Sequence, residues 1–148
     1  MAFDFGKLVQ GLAGNFSQQN KEELTKQYQQ YLLKDEEIQS GYVLIRDALI
    51  FTNIRIIFVD KQGATGKKTS FKSIFLMNIV GVEMETAGFG IDDSEIVITF
   101  LENVQLKPYN ENLRSLKFEF PKKTDITPLY RYLFELSYQN RLTINNLK

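Results

Sequence analysis

Three apolar segments lie within residues 41–60, and this crowding constrains the fold more than any other feature of the 148-residue chain. The stretch reads GYVLIRDALIFTNIRIIFVD, and only Arg46-Asp47 and Thr52-Asn53 separate its segments. Short segments rich in Val and Ile, divided by turn-forming pairs, are typical of antiparallel strands. The sequence therefore predicts a tight three-stranded meander in this stretch.

The strand-like pattern continues well beyond the meander. A glycine-bearing hairpin loop at 61–68 is followed by four further predicted strands, at residues 69–75, 79–86, 95–101 and 113–120. The last of these shows the clearest alternation, with Leu116, Phe118 and Phe120 on one face. The connection 102–112 is longer than a tight hairpin needs and is predicted to be an exposed loop. Seven such strands predict a bent antiparallel sheet that forms an incomplete barrel.

Helical periodicity precedes the strands. Near the start, Phe5, Leu8 and Leu12 share one face of a short predicted helix. Three placements of this helix are open: it folds back on the core of its own chain, packs on a neighbouring subunit or lies in a membrane interface. A second helix is predicted over residues 21–33, because Asn20 is a suitable N-cap and an apolar stripe follows it. We expect that stripe to pack against the sheet.

A further predicted helix follows the strands. Thr127 precedes Pro128, a residue suited to the first turn, and apolar residues then recur at helical spacing. The predicted fold class is therefore mainly β, in the α+β sense: a seven-stranded antiparallel barrel capped by a C-terminal helix and preceded by one or two N-terminal helices. The corresponding divisions are 1–35 for an N-terminal helical extension, 36–140 for the barrel with its helix, and 141–148 for a tail.

The composition excludes several classes of function. The chain has neither cysteine nor histidine, so no disulfide, thiolate nucleophile or Ser-His-Asp triad can form. Lysine plus arginine and aspartate plus glutamate both total 18, a balance that argues against a general nucleic-acid binder. The longest uncharged apolar run, residues 73–82, is half of the about 20 residues that a membrane span needs. We expect a cytoplasmic protein.

Two motifs that suggest a ligand fail on spacing. GATGKKT at residues 63–69 has two residues between its glycines instead of the four of a phosphate-binding loop, and Lys67 is not followed by Ser or Thr. Asp92, Asp93 and Glu95 lack the alternating spacing of a calcium loop. The sequence therefore predicts no catalytic, cofactor-binding or metal-binding residues.

The sequence resembles the bacterial pleckstrin-homology (PH) domain family over roughly the whole chain after the second helix. The stretches that carry the resemblance are FTNIRIIFVDKQGATGKK (51–68), FKSI (71–74), IVGVEMETAGFGIDDSE (79–95), LKFEFPKKTDI (116–126) and LYRYLFEL (129–136). The resemblance implies a PH-like barrel capped by the C-terminal helix. It also implies a non-enzymatic domain that assembles into ring-shaped homo-oligomers, a pentamer among them, and it leaves the protein partner open.

Charge is distributed unevenly along the predicted barrel. Residues 83–102 carry six acids and no base, whereas residues 55–72 carry five bases and one acid. In a head-to-tail ring, the basic region of one subunit would face the acidic region of the next and fix the register of assembly. Scattered surface charge in a neutral protein is the alternative explanation.

Two positions depart from the family pattern. Ile54 stands where a basic residue is common, which weakens any basic surface there. Phe75-Leu76-Met77 replaces a Pro-Tyr pair and places three consecutive apolar residues at an edge-like position, as expected of a contact surface. The predicted oligomer contacts are these apolar residues, the N-terminal ones and two acids: Phe3, Phe5, Leu8, Leu12, Phe75, Leu76, Met77, Glu83 and Glu85.

A cluster of lysines suggests an alternative function. Lys61, Lys67, Lys68 and Lys72 form a local basic patch that would contact an anionic lipid headgroup in a peripheral membrane module. PH domains that bind phosphoinositides carry several bases around the loop between their first two strands. Here that connection is short and nearly neutral, so a solvated lysine loop is the simpler interpretation.

Overall fold

The computed structural model describes residues 18–44, 47–62, 68–87, 93–106 and 111–147, and for residues 18–20, 43, 61 and 62 it describes the backbone alone. The chain divides into two units between Ile74 and Phe75. Each unit contains one antiparallel sheet, with four strands in the first and three in the second. The predicted first helix lies outside the described residues, and so do the predicted contacts Phe3, Phe5, Leu8 and Leu12.

The first described element is helix α1, Gln18–Tyr28, which a 3-10 turn, Gln29–Tyr31, continues. Asn20 lies inside this helix, so its prediction as the N-cap was wrong. Glutamine is a good helix former, and the helix therefore already includes Gln18 and Gln19. The helical stretch also ends before the predicted residue 33, because the backbone at Leu32 is extended.

Four strands follow, namely β1 Ile38–Val43, β2 Ala48–Thr52, β3 Arg55–Gln62 and β4 Lys68–Phe75, hydrogen-bonded in the order β1-β2-β3-β4. The predicted three-stranded meander is confirmed. The connection between β1 and β2 is short, and the Leu44 N–H donates to the Asp47 carbonyl at 2.9 Å. In β2, the consecutive residues Leu49, Ile50 and Phe51 are each no more than 1% exposed, so both faces of this central strand are covered.

One face of the four-stranded sheet packs against helix α1. Tyr28 belongs to a cluster with strand residues Ile38, Ile50, Ile57 and Val59, flanked by Leu24, Leu32 and Ala48. Burying side chains of this size stabilises the fold by about 1.5–3 kcal/mol each. The apolar stripe of the helix is thus a packing face, as predicted, although Tyr31 within it remains 46% exposed.

The second unit contains a 3-10 turn Leu76–Asn78, strands β5 Ile79–Glu85, β6 Ser94–Leu101 and β7 Leu113–Phe120, and helix α2 Thr127–Ile144, with the strands in the order β5-β6-β7. Burial alternates along β6, where Ile96 and Ile98 are fully buried between half-buried neighbours. β5 pairs with β6 through a register shift between Ile79 and Gly81, which is typical of a β-bulge. Helix α2 runs to Ile144 and so extends into the segment 141–148 that was predicted as a tail.

Helix α2 packs on β5 and on the 3-10 turn that precedes it. Pro128 lies in its first turn, as predicted, and the buried face includes Leu129, Tyr132, Leu133 and Leu136. Farther along, Asn140 Nδ2 donates to the carbonyls of Leu76 and Ile79 at 2.7 Å each. These two hydrogen bonds fix the C-terminal half of the helix against the start of β5.

Candidate interaction surfaces

Phe75 and Met77 form an exposed apolar pair where β4 ends and the 3-10 turn begins. They are 50% and 49% exposed, whereas Leu76 between them is 1% exposed. The prediction of three consecutive surface residues was therefore wrong for Leu76. Its place in the 3-10 turn buries its side chain, and its carbonyl accepts the hydrogen bond from Asn140. Phe75 and Met77 alone remain as the apolar surface at this junction.

The acidic stretch of β5 and β6 is partly neutralised by β7. Lys117 Nζ lies 3.5 Å from the Glu95 carboxylate, and Arg114 Nε lies 3.8 Å from that of Glu102. Glu83 and Glu85 are exposed on β5. In the described part of the chain neither of them makes an ion pair. Their role as oligomer contacts stays a prediction.

The basic stretch is also smaller than the sequence implied. Lys72 Nζ lies 3.4 Å from the Asp60 carboxylate, in a half-exposed ion pair. Lys68 is exposed at the start of β4. The side chains of Lys61 and Lys67 lie outside the described residues. Lipid contact by these four lysines stays a prediction.

Arg55 does not contribute to the basic surface, because it forms a buried ion pair with Glu36. Its Nε lies 2.8 Å from Glu36 Oε2 and its Nη2 lies 3.0 Å from Oε1, so the contact is bidentate. The Glu36 side chain is fully buried, and that of Arg55 is 19% exposed. The Thr52 hydroxyl and the Leu33 N–H also donate to the carboxylate, at 2.7 and 3.1 Å. The carboxylate therefore receives four hydrogen bonds.

Arg55 donates two further hydrogen bonds within the chain. Nη2 donates to the Tyr31 carbonyl at 2.8 Å, and Nη1 donates to Ser73 Oγ at 2.7 Å. Burial by itself raises the pKa of Glu36, but hydrogen bonds from Arg55, Thr52 and Leu33, together with the charge of Arg55, hold that pKa below its usual value. Since these groups satisfy one another, the pair stabilises the fold and offers no binding site. Sequence reasoning missed it because the two partners are far apart along the chain.

A shallow groove of about 330 Å³ lies between β5 and the second half of α2. We call it the β5–α2 groove; it is lined by Val80, Gly81, Val82, Phe134, Ser137, Tyr138 and Arg141. Phe134 and Tyr138 are 55% and 52% exposed. Arg141 Nε donates to the Val80 carbonyl at 2.6 Å, and the terminal nitrogens of Arg141 have no partner among the described residues. The sequence analysis did not identify this groove.

None of the helices in the described ranges is both long enough and apolar enough to cross a membrane.

Comparison with known proteins identifies the family. The chain matches the family described as bacterial PH domain over residues 7–137. It is 41% identical over 90 residues to the uncharacterized protein YjqA of Bacillus subtilis (strain 168), an alignment that covers 61% of this chain and 72% of that protein.

Two solved structures share the fold. A pleckstrin-homology domain from Shewanella amazonensis SB2B has a TM-score of 0.61 and 30% identity, covering 78% of this chain and 96% of that one. A DUF1696 family protein with a pleckstrin-homology domain from Shewanella loihica PV-4 has a TM-score of 0.60 and 30% identity, covering 80% of this chain and 93% of that one. The chain therefore belongs to the bacterial PH domain family and has the mainly β, PH-like fold that its sequence predicts.

Proposed function

We propose that this chain is a non-catalytic, cytoplasmic PH-like module that self-assembles into a ring-shaped homo-oligomer and serves as a protein-interaction or scaffolding platform. The observation that carries the proposal is the exposed apolar pair Phe75 and Met77. Because Leu76 is anchored in the interior between them, these two side chains are held in water instead of rotating into the core. Covering the exposed half of each would contribute about 1 kcal/mol per side chain.

The strand that ends at Phe75 supports the proposal. β4 is the last strand in the order of the four-stranded sheet, and Ile74 is its only buried residue. An exposed edge strand offers unpaired backbone N–H and C=O groups to another chain. When such an edge meets a different surface of the next subunit, the contact is head-to-tail, and repeated rotation closes it into a ring.

Unpaired acids provide a further contact for a neighbouring subunit. Glu83 and Glu85 project from β5 with no ion pair in the described ranges, and Lys68 is exposed at the start of β4. Opposite charges on two surfaces steer association and fix its register more than they raise affinity. We therefore assign these acids to the orientation of assembly and the apolar pair to its strength.

Size-exclusion chromatography with light scattering tests the ring. The wild-type protein should be an oligomer at micromolar concentration. The double variant Phe75→Ser/Met77→Ser should raise the dissociation constant about 10- to 100-fold, because it removes about 2 kcal/mol of apolar burial from each interface. Val104→Ser is the matched control, since Val104 is fully exposed and lies in the connection between β6 and β7. A monomeric wild-type protein would refute self-assembly.

The alternative function is a peripheral membrane module that binds anionic lipid headgroups. The observation that favours it is the exposed Lys68, close along the sequence to three further lysines. Flotation with phosphatidylserine vesicles tests it, using Lys68→Gln/Lys72→Gln and, as control, Lys117→Gln on β7. Binding that grows with anionic lipid, is lost in salt and falls only in the first variant would replace the ring proposal with this one.

A further inference from the structure

We propose that the β5–α2 groove binds an extended peptide that carries one carboxylate side chain two residues from an apolar side chain. This names the class of partner for the interaction platform, and it rests on that proposed function. The groove lies wholly in the second unit, between strand and helix residues that are described.

Arg141 supplies the charged end of the groove. Its Nε is held by the Val80 carbonyl at 2.6 Å, which fixes the plane of the guanidinium group. Its two terminal nitrogens have no hydrogen bond or ion pair within the described residues. A fixed guanidinium binds a carboxylate through two parallel hydrogen bonds, and little side-chain entropy remains to be lost. The partner therefore carries an acid at this position.

Two aromatic residues supply the apolar end. Phe134 and Tyr138 are four residues apart on α2, so they share one helix face, and each is about half exposed. The ring of Phe134 also lies 6.1 Å from that of Tyr130, which limits its movement. Val82 forms the opposite wall from β5. One apolar side chain of a ligand would cover this surface.

The distance between the two ends determines the spacing in the ligand. Tyr138 and Arg141 are three helical positions apart, or about 4.5 Å along the axis, and Phe134 and Arg141 are about 10 Å apart. An extended chain rises about 3.3 Å per residue, so side chains on the same face, two residues apart, are separated by about 6.6 Å. This separation lies between the Tyr138–Arg141 and Phe134–Arg141 distances along the helix. The ligand should therefore carry an apolar residue at position i and an acid at position i+2.

The strand side of the groove favours a peptide backbone over a membrane surface. In the described ranges β5 is an edge strand that pairs with β6 alone, and Gly81 leaves open the space beside Arg141 that a side chain would occupy. The exposed Glu83 and Glu85 follow Gly81 on the same strand. An anionic bilayer would be repelled by both acids, whereas a peptide brings a single carboxylate, which pairs with the guanidinium group of Arg141.

Fluorescence polarisation with defined probes tests the proposal on the full chain. The probe is the fluorescein-labelled, C-terminally amidated peptide TFTET. The matched amidated peptides are TFTQT, which lacks the side-chain carboxylate, and TATET, which lacks the apolar ring. TFTET should bind at least about tenfold more tightly than either, as one charge-assisted contact or one buried ring allows. Absence of TFTET binding at millimolar peptide, or equal binding of the three peptides, would overturn the proposal.

Three variants locate the binding. Arg141→Gln should lower the affinity for TFTET at least about tenfold and leave that for TFTQT unchanged. Gly81→Ala should weaken both, because its methyl group would take up groove space beside Arg141, 3.9 Å from Nη2. The chain itself tolerates this methyl group, which makes an ordinary contact of 3.4 Å with Thr99 Cβ. Arg131→Gln is the control, since Arg131 is exposed on the same helix and does not line the groove. A loss of TFTET binding in Arg131→Gln equal to that in Arg141→Gln would contradict the assignment.

Light scattering on the same variants separates this proposal from self-assembly. A monomeric wild-type protein that binds TFTET through Arg141 would refute the ring and leave the groove assigned. A ring that does not bind TFTET would refute the groove alone. If Arg141→Gln dissociates the ring, the groove is an interface between copies and the peptide proposal is wrong.

Discussion

Glu36→Gln tests whether the buried ion pair with Arg55 stabilises the first unit. The amide preserves the size of the side chain but removes the negative charge that Arg55 Nε and Nη2 share. Removing one partner of a buried pair leaves the other charge uncompensated and costs about 3–5 kcal/mol. Arg55 is 19% exposed and keeps its hydrogen bonds to Tyr31 and Ser73. We therefore expect the lower end of that range, about 3 kcal/mol.

Urea unfolding followed by far-ultraviolet circular dichroism measures this loss. With a slope of about 2 kcal/mol per molar urea for a chain of this size, the midpoint should fall by about 1.5 M. Glu102→Gln is the control: the Glu102 carboxylate lies 3.8 Å from Arg114 and is 39% exposed. Breaking an exposed pair of this kind costs less than about 1 kcal/mol. Equal midpoints for the two variants would show that the buried pair stabilises the fold no more than the exposed pair does.

The same pair predicts a dependence on pH. Because the pKa of Glu36 is lower in the folded chain than in the unfolded chain, the stabilisation is fully present above the unfolded value, about 4.3. It is lost as the pH falls through the folded value, since the carboxyl group then becomes protonated. The difference in unfolding free energy between wild type and Glu36→Gln should therefore narrow as the pH drops below about 4.3. A difference that stays constant down to pH 3 would contradict this assignment.

The remaining predictions concern the packing of helix α2. In the same urea assay, Leu133→Ala should lower the free energy of unfolding by about 2–5 kcal/mol, because Leu133 is fully buried. The control Val104→Ala, at a fully exposed site, should change it by less than about 0.5 kcal/mol. Asn140→Ala should lower the free energy of unfolding by about 1–3 kcal/mol, because the carbonyls of Leu76 and Ile79 lose their shared hydrogen-bond donor. A melting temperature equal to that of the wild type would contradict this and show that water replaces the donor.

Strands such as β6 and β7 could be predicted from the sequence because one face is more buried than the other, and the central strand β2 because it is a short apolar run between turn residues. The predicted strand 95–101 is observed as Ser94–Leu101, and the predicted strand 113–120 is observed as Leu113–Phe120. The alternation of apolar and polar residues along such a strand is visible in consecutive residues, so it can be recognised without knowing which strands pair with it. The ends of the helices were less accurate. Helix α1 includes the predicted N-cap, and α2 runs to Ile144, because polar residues tolerate both helix and loop.

The candidate surfaces depend on contacts between distant residues, and the sequence could not supply these. Arg55 had been counted with the basic surface, yet its partner Glu36 lies before β1. Leu76 had been placed on the surface, but one 3-10 turn buries it. The β5–α2 groove required knowledge of the strand that lies beside α2, because Phe134 and Arg141 alone resemble any solvent-facing helix positions.

The ion pair between Glu36 and Arg55 also bears on where the chain can be cut. The short segment before β1 is attached to this pair, because the Tyr31 carbonyl accepts a hydrogen bond from Arg55 and the Leu33 N–H donates one to Glu36. Arg55 also donates to Ser73 of β4. A protease that cleaves between Tyr31 and Glu36 would separate these groups and detach Tyr28 from Ile50 and its neighbours. The helix and the sheet of the first unit should therefore resist limited digestion together and be lost together. A fragment that begins at residue 36 lacks Tyr28 and should therefore be less stable than one that includes α1.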